Sequence, residues 1–122
     1  MITTLLALNL CHWAADFTHL STQWMLNAKR LGKPITPILA HAGVHATLFF
    51  IFISFLHGFE AGFLSAAIQF PTHFVIDVWK GRLNGWFENL QNPTNKYHWW
   101  IFGLDQYLHQ AVIIATASFI CS

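Results

Sequence analysis

The chain has 122 residues, of which 55% are hydrophobic, 16% aromatic and only 9% charged, and its formal net charge is +1. A soluble domain carries about 25% charged residues, so this composition leaves too little polar surface to cover a water-facing core. The near-zero net charge also removes the basic field that nucleic-acid binding requires, and no partner of that kind is expected.

Four apolar segments, at a mean hydropathy of +0.45 for the whole chain, read as helices long enough to cross a bilayer, which takes about 20 mostly apolar residues. They run over about 2–26, 37–57, 60–80 and 97–121. The expected fold is therefore all-α: one integral membrane domain over residues 1–122, a bundle of four transmembrane helices. Between the first two helices, Lys29, Arg30, Gly32, Lys33 and Pro34 read as a polar, basic loop. Gly58 marks a tight turn before the third helix. Ahead of the fourth, Leu83, Trp86, Phe87 and Leu90 follow the i, i+3, i+4, i+7 spacing of a short amphipathic helix lying on the membrane surface. Asn92-Pro93 breaks the chain after it.

Every Lys and Arg (Lys29, Arg30, Lys33, Lys80, Arg82 and Lys96) falls in or beside the first and third connections. In a four-span topology these lie on one side, which the positive-inside rule makes cytoplasmic. Both termini are then expected in the periplasm of a multi-pass protein of the bacterial inner membrane.

Each expected helix carries one pair of candidate metal ligands spaced i, i+4: His12 and Asp16, His41 and His45, His73 and Asp77, Asp105 and His109. Residues four apart share a helix face, and four such faces can converge on one centre inside a bundle. A single intramembrane His–Asp pair is most often an interhelical hydrogen bond. Four pairs at matching depth point instead to metal coordination. Three of the five acidic residues are these aspartates, and a buried carboxylate inside an apolar span needs a cation or a metal as compensation.

Five imidazoles and three carboxylates suit zinc, iron or manganese better than calcium. Eight ligands exceed the needs of one tetrahedral ion, so two divalent ions are expected, zinc favoured over iron or manganese. Lys80, His19 and His98 extend the same stripes toward the cytoplasmic mouth, where they are candidates for holding an anionic substrate and stabilising developing negative charge. Cys11 and Cys121 form no CxxC and read as small apolar residues.

The stretches His12-Trp13-Ala14-Ala15-Asp16-Phe17, Trp24-Met25 with Lys29, His41-x-x-x-His45, His73-Phe74-Val75-Ile76-Asp77-x-x-Lys80 and Leu104-Asp105-Gln106-x-x-His109 occur in that order. Together they resemble the family catalogued as domain of unknown function 3307, small membrane proteins of bacteria and phages. A more distant similarity is to SOS-controlled inner-membrane metal-dependent hydrolases. Where the family pattern places a glutamine four residues after the first aspartate, this chain has Leu20, with Gln23 displaced.

The resemblance implies a membrane metalloprotein with hydrolase activity. The function expected is a membrane-embedded metal-dependent hydrolase acting from the cytoplasmic leaflet on a lipid-linked or phosphate ester. The alternatives are a metal-stapled membrane protein that binds a membrane partner, or a proton or metal transporter. The partners expected are the lipid bilayer, a lipid-linked substrate and a second copy of the chain.

Overall fold

The computed structural model describes residues 1–122. It holds five α-helices and one 3-10 turn: α1 Ile2–Phe17, α2 Gln23–Leu31, α3 Ile35–His57, α4 Phe59–Trp86, the 3-10 turn Glu88–Gln91, and α5 Lys96–Ile120. The all-α class stands, but the four-transmembrane bundle does not. Only α3 is long and apolar enough to cross a membrane, with a mean hydropathy of 1.9 in its most apolar stretch. Of the other three segments expected to span, α1 stops after 16 residues. Polar side chains recur along α4 and α5, among them Gln69, His73, Asp77 and Lys80, then Asp105, Gln106 and His109. The candidate ligands themselves pull the hydropathy down. The multi-pass topology and the periplasmic placement of both termini rested on four spans and fall with them. One candidate membrane helix points to membrane association and no further.

The first helix ends nine residues earlier than its apolar pattern suggests. At Thr18 the backbone becomes extended, φ −114° and ψ −174°, while the Thr18 hydroxyl donates back to the Ala14 carbonyl. Residues 18–22 turn the chain, and Thr22 caps α2 by accepting from the Met25 amide at 3.4 Å. Lys29 and Arg30 of the expected basic loop thus belong to α2. It closes at Gly32, whose φ of 69° is the left-handed conformation that glycine adopts freely. The Gly32 and Lys33 amides both return to the Ala28 carbonyl.

Gly32 has a second role. A Cβ there would meet the backbone of Arg82 and Val78, and one at Gly81 would collide with the backbone of Gly32 and Lys29. Paired glycines therefore let the end of α2 lie directly on α4. Arg82 Nε locks the crossing by donating to the Gly32 carbonyl at 3.0 Å.

Helices α3 and α4 form an antiparallel hairpin about Gly58, at φ 94°. The expected surface helix after residue 80 is instead the last part of α4, which runs to Trp86 and hands over to the 3-10 turn.

The interior is divided into layers. Leu8, Cys11, Phe49, Ile53, Ile113 and Ala117 make one apolar cluster. Beyond it, Thr4 Oγ1 contacts His57 Nε2 at 2.7 Å and Cys121 Sγ at 3.5 Å, tying the two chain ends to the α3–α4 turn. On the other side of the apolar cluster lies a polar layer. Twelve buried polar side chains stand against twelve buried hydrophobic ones, so half the interior is something other than an oil-like core. Meanwhile Ile2, Leu6, Phe55, Phe59, Phe63 and Phe119 remain exposed on the outer faces, an apolar surface of the kind that marks an interaction site.

Candidate metal centre

All four ligand pairs meet in the polar layer. Asp16 Oδ1 is 2.8 Å from His41 Nε2 and 3.0 Å from His45 Nε2, and Asp16 Oδ2 is 3.3 Å from His12 Nε2. Asp77 Oδ2 is 3.1 Å from His73 Nε2, and Asp77 Oδ1 is 3.4 Å from His109 Nε2. Asp105 Oδ1 reaches the same His109 nitrogen at 3.5 Å. The i, i+4 spacing brings each pair to one face, and the bundle closes the four faces on each other. His12, His41, His45, His73, Asp77, Asp105 and His109 are buried, and the Asp16 side chain is 6% exposed.

The imidazoles crowd together. The His45 and His73 rings stack at 3.6 Å between centroids and the His73 and His109 rings lie at 4.2 Å. Rings this close cannot all carry a charge. Three buried ring nitrogens of the cluster, His12 Nδ1, His41 Nδ1 and His45 Nδ1, lack a hydrogen-bond partner. Each such orphan costs about 1–3 kcal/mol. A cation taking lone pairs from these atoms would remove that cost, so the donor set fits a metal ion. The ligands fall into three overlapping groups that could hold one: Asp16 with His41, His45 and His73; His12 with His73 and His109; and Asp77 with Asp105 and His109.

Around the ligands sits a ring of positioning contacts. Gln69, one turn before His73, meets His73 Nδ1 at 3.1 Å and fixes that ring's orientation. Gln106 bridges two ligands, its Oε1 3.4 Å from His12 Nε2 and its Nε2 donating to Asp105 Oδ2 at 3.1 Å.

The residue that sequence reasoning missed is Lys29. Placed by its basic neighbours in a cytoplasmic loop, it instead rides on α2 into the cluster. Its Nζ lies 3.1 Å from His41 Nε2, 3.4 Å from Asp16 Oδ1 and 3.6 Å from Asp77 Oδ2. Burial alone would push the ammonium pKa down, but the carboxylates of Asp77, Asp16 and Asp105 outweigh it and raise the pKa above the usual lysine value. Lys29 is a fixed cation. The signal that could have found it is the cap pattern: Thr22 before and Gly32 after make a short helix of 23–31, with Met25, Ala28 and Lys29 on its inner side.

The three residues expected at the mouth separate. Lys80 Nζ lies 3.5 Å from Asp105 Oδ2 and 5.0 Å from the Phe102 ring centre. His98 Nδ1 donates to the Leu90 carbonyl at 2.6 Å. Both line a cavity of about 310 Å³ that also receives Asp16, Asp105, Gln106, Lys29 and Arg30. His19 lies in the turn after α1, exposed, and its side chain contacts none of the ligands.

Fold and site together define a small helical protein, with one helix fit to cross a membrane, enclosing a His/Asp centre able to hold metal. The chain belongs to the DUF3307 family, proteins of unknown function, whose family model matches residues 4–122. Searches of curated proteins and of solved structures return no match, so the expected similarity to SOS-controlled hydrolases gains no support from them.

Proposed function

We propose that this chain is a membrane-associated, metal-dependent hydrolase of the bacterial inner membrane, acting on an anionic ester such as a phosphate or lipid-linked ester. The observation that carries this reading is the division of the donors. Asp16, His41, His45 and His73 form one group of four, and Asp77, Asp105 and His109 form another of three that shares no residue with it. Four protein ligands complete a tetrahedral ion, whereas three leave a position open, the usual difference between structural and catalytic zinc sites. The three-ligand group reaches the cavity through Asp105, beside Lys80, and the four-ligand group reaches it through Asp16. Two ions, zinc favoured over iron or manganese, suit this mixed nitrogen and oxygen set. A divalent ion bound there acidifies water and polarises an ester oxygen.

The chain's own groups would do the rest. Lys80, beside Asp105, faces the place where negative charge develops and would stabilise it. Gln106 holds Asp105 and His12 in register. Ile101 and Phe102 line the same cavity and limit its access to water. Membrane association through α3 would place this cavity near lipid-linked substrates.

A second reading, a metal-stapled protein that binds a membrane partner, is favoured by one observation. Of the eight ligands only Asp16 and Asp105 reach the cavity. A conduit fits less well, because Leu8, Phe49, Ile53 and Ile113 seal the bundle beyond the cluster.

Elemental analysis of detergent-purified protein tests the centre: about two ions per chain are expected, falling sharply in His45→Ala. A content under about a tenth of an ion in protein purified without chelator overturns the metalloenzyme reading. Hydrolysis of chromogenic phosphate esters then separates the two roles. Activity lost in Lys80→Ala with metal retained supports the enzyme. No activity in fully loaded protein supports the staple.

A further inference from the structure

The cavity beside the cluster has an apolar neighbour. A groove of about 430 Å³ runs along the outside of the 3-10 turn, lined by Leu83, Phe87, Leu90, Tyr97, Trp100 and Ile101. Ile101 belongs to both walls. The rim that cavity and groove share is held by hydrogen bonds. His98 Nδ1 donates to the Leu90 carbonyl at 2.6 Å, Gln91 Nε2 to the Asn84 carbonyl at 3.0 Å, and Trp99 Nε1 to the Pro93 carbonyl at 2.7 Å. These bonds pin the 3-10 turn between α4 and α5.

The two hollows differ in chemistry. Lys29, Arg30 and Lys80 face the cavity against the carboxylates of Asp16 and Asp105. Lys29 answers Asp16 at 3.4 Å and Lys80 answers Asp105 at 3.5 Å. Arg30 answers nothing: its guanidinium enters no hydrogen bond or ion pair and lies exposed at the cavity wall. An unpaired planar guanidinium is the donor best matched to the paired oxygens of a phosphoryl group. The groove offers almost only hydrocarbon and aromatic surface and no charged side chain.

We propose that cavity and groove together bind a phosphorylated amphiphile, its phosphoryl group between Arg30 and Lys80 and its hydrocarbon chain along Leu83, Leu90, Trp100 and Ile101. This deepens the hydrolase reading by naming the substrate class, and rests on that reading for the fate of the ester. The binding itself rests on the paired hollows. A hydrocarbon chain in the groove explains an apolar trough that shares Ile101 with the cavity holding the only unneutralised cation of the site. The phosphoryl group explains why that cation is an arginine on the wall of the cavity that Asp105 also lines.

Native mass spectrometry of the full chain from maltoside micelles reads ligand and metal in one spectrum. The probe is decyl phosphate, with inorganic phosphate and decanol as head and chain controls. One decyl phosphate per chain is expected, bound at least about tenfold more tightly than either control. Arg30→Gln should weaken decyl phosphate and inorganic phosphate alike by about tenfold. Trp100→Ser should weaken decyl phosphate and leave inorganic phosphate unchanged. Circular dichroism of both variants checks that the helices remain. Equal binding of decyl phosphate and decanol, or binding untouched by Arg30→Gln, overturns the proposal. Metal present with no decyl phosphate bound sinks this proposal and spares the hydrolase reading. Decyl phosphate bound by chain that carries no metal when purified without chelator sinks the hydrolase reading and spares this one.

Discussion

Lys29 lies thirteen residues beyond Asp16, past the end of α1 and a full turn of chain, yet its ammonium comes to 3.4 Å from the Asp16 carboxylate. The same ammonium is 3.6 Å from Asp77, so one lysine bridges the four-ligand and three-ligand groups. That position gives it opposite effects on the two states of the centre. Without metal, Lys29 compensates buried carboxylates, and removing one partner of such a set costs about 3–5 kcal/mol. With metal bound, it is a like charge near the ligands and opposes the ion. Lys29→Met should therefore lower the melting temperature of chelator-treated protein and tighten zinc binding by about tenfold or more. Thermal unfolding with and without EDTA, beside a zinc titration, reads both. A fall in stability that is the same in loaded and stripped protein, with unchanged zinc affinity, would refute this role.

Gln69 carries no ligand atom, but its contact with His73 Nδ1 at 3.1 Å sets the ring that belongs to two of the three donor groups. Loss of such a supporting contact typically weakens metal affinity about 10–100-fold. Gln69→Leu keeps the volume and removes the hydrogen bond. The expected result is weaker zinc binding with helicity intact. Zinc affinity within about twofold of wild type would show that packing alone orients His73.

Gly81 and Gly85 sit one turn apart on α4 and should respond oppositely to an added methyl. A Cβ at Gly81 runs into the backbone of Gly32 and Lys29, whereas one at Gly85 meets Leu31 only at 3.9 Å, an ordinary contact. Gly85→Ala should be neutral or stabilising by about 0.5–1 kcal/mol through helix propensity. Gly81→Ala must push α2 off α4 and carry Lys29 with it. We expect a loss of about 2 kcal/mol or more and a zinc affinity that moves in the same direction as in Lys29→Met. Denaturant unfolding of the two variants side by side decides the point, and equal behaviour would show that α2 is not seated through Gly81.

The ligand pairs were legible because the chemistry and the helical period coincide. His–Asp and His–His at i, i+4 require no knowledge of tertiary structure to share a face, and four of them left little choice of where to meet. What failed was the reading of the membrane spans and of the chain from Thr18 to Lys33. Residues 18–22 contain no glycine or proline, so the apolar pattern ran through a break made by Thr18 and recapped at Thr22. Leu20 sits in that break, where the family pattern has glutamine. The basic run at Lys29–Lys33 reads as solvated charge, although one of its members is a partly buried counter-ion, because charge sign alone does not tell which face of a short helix a lysine occupies. Hydropathy likewise counted apolar residues without asking whether each segment stayed helical for 18 residues or how often polar ligands interrupted it, and so gave four spans where only α3 qualifies. The groove could not be seen at all, since it joins Leu83 on α4 to Trp100 on α5 across a 3-10 turn.

The membrane role of α3 rests on a test that water and lipid answer differently. Ile51 and Phe55 are 53% and 88% exposed on the outer face of this helix. If that face meets water, a charge there replaces an unfavourable apolar contact with solvent and should improve solubility. If it meets lipid, an arginine costs about 2.5–3.5 kcal/mol or more at the middle of the span and less toward its end, so the two are introduced together. Neither substitution touches the apolar cluster or the ligands, so the packed interior should not change. Ile51→Arg with Phe55→Arg is expected to release the chain from membranes washed with alkaline carbonate, while wild type stays in the pellet. Wild-type protein found in the supernatant, or a double variant that remains in the pellet, would remove α3 as the membrane anchor. The exposed phenylalanines would then have to be covered by another protein surface.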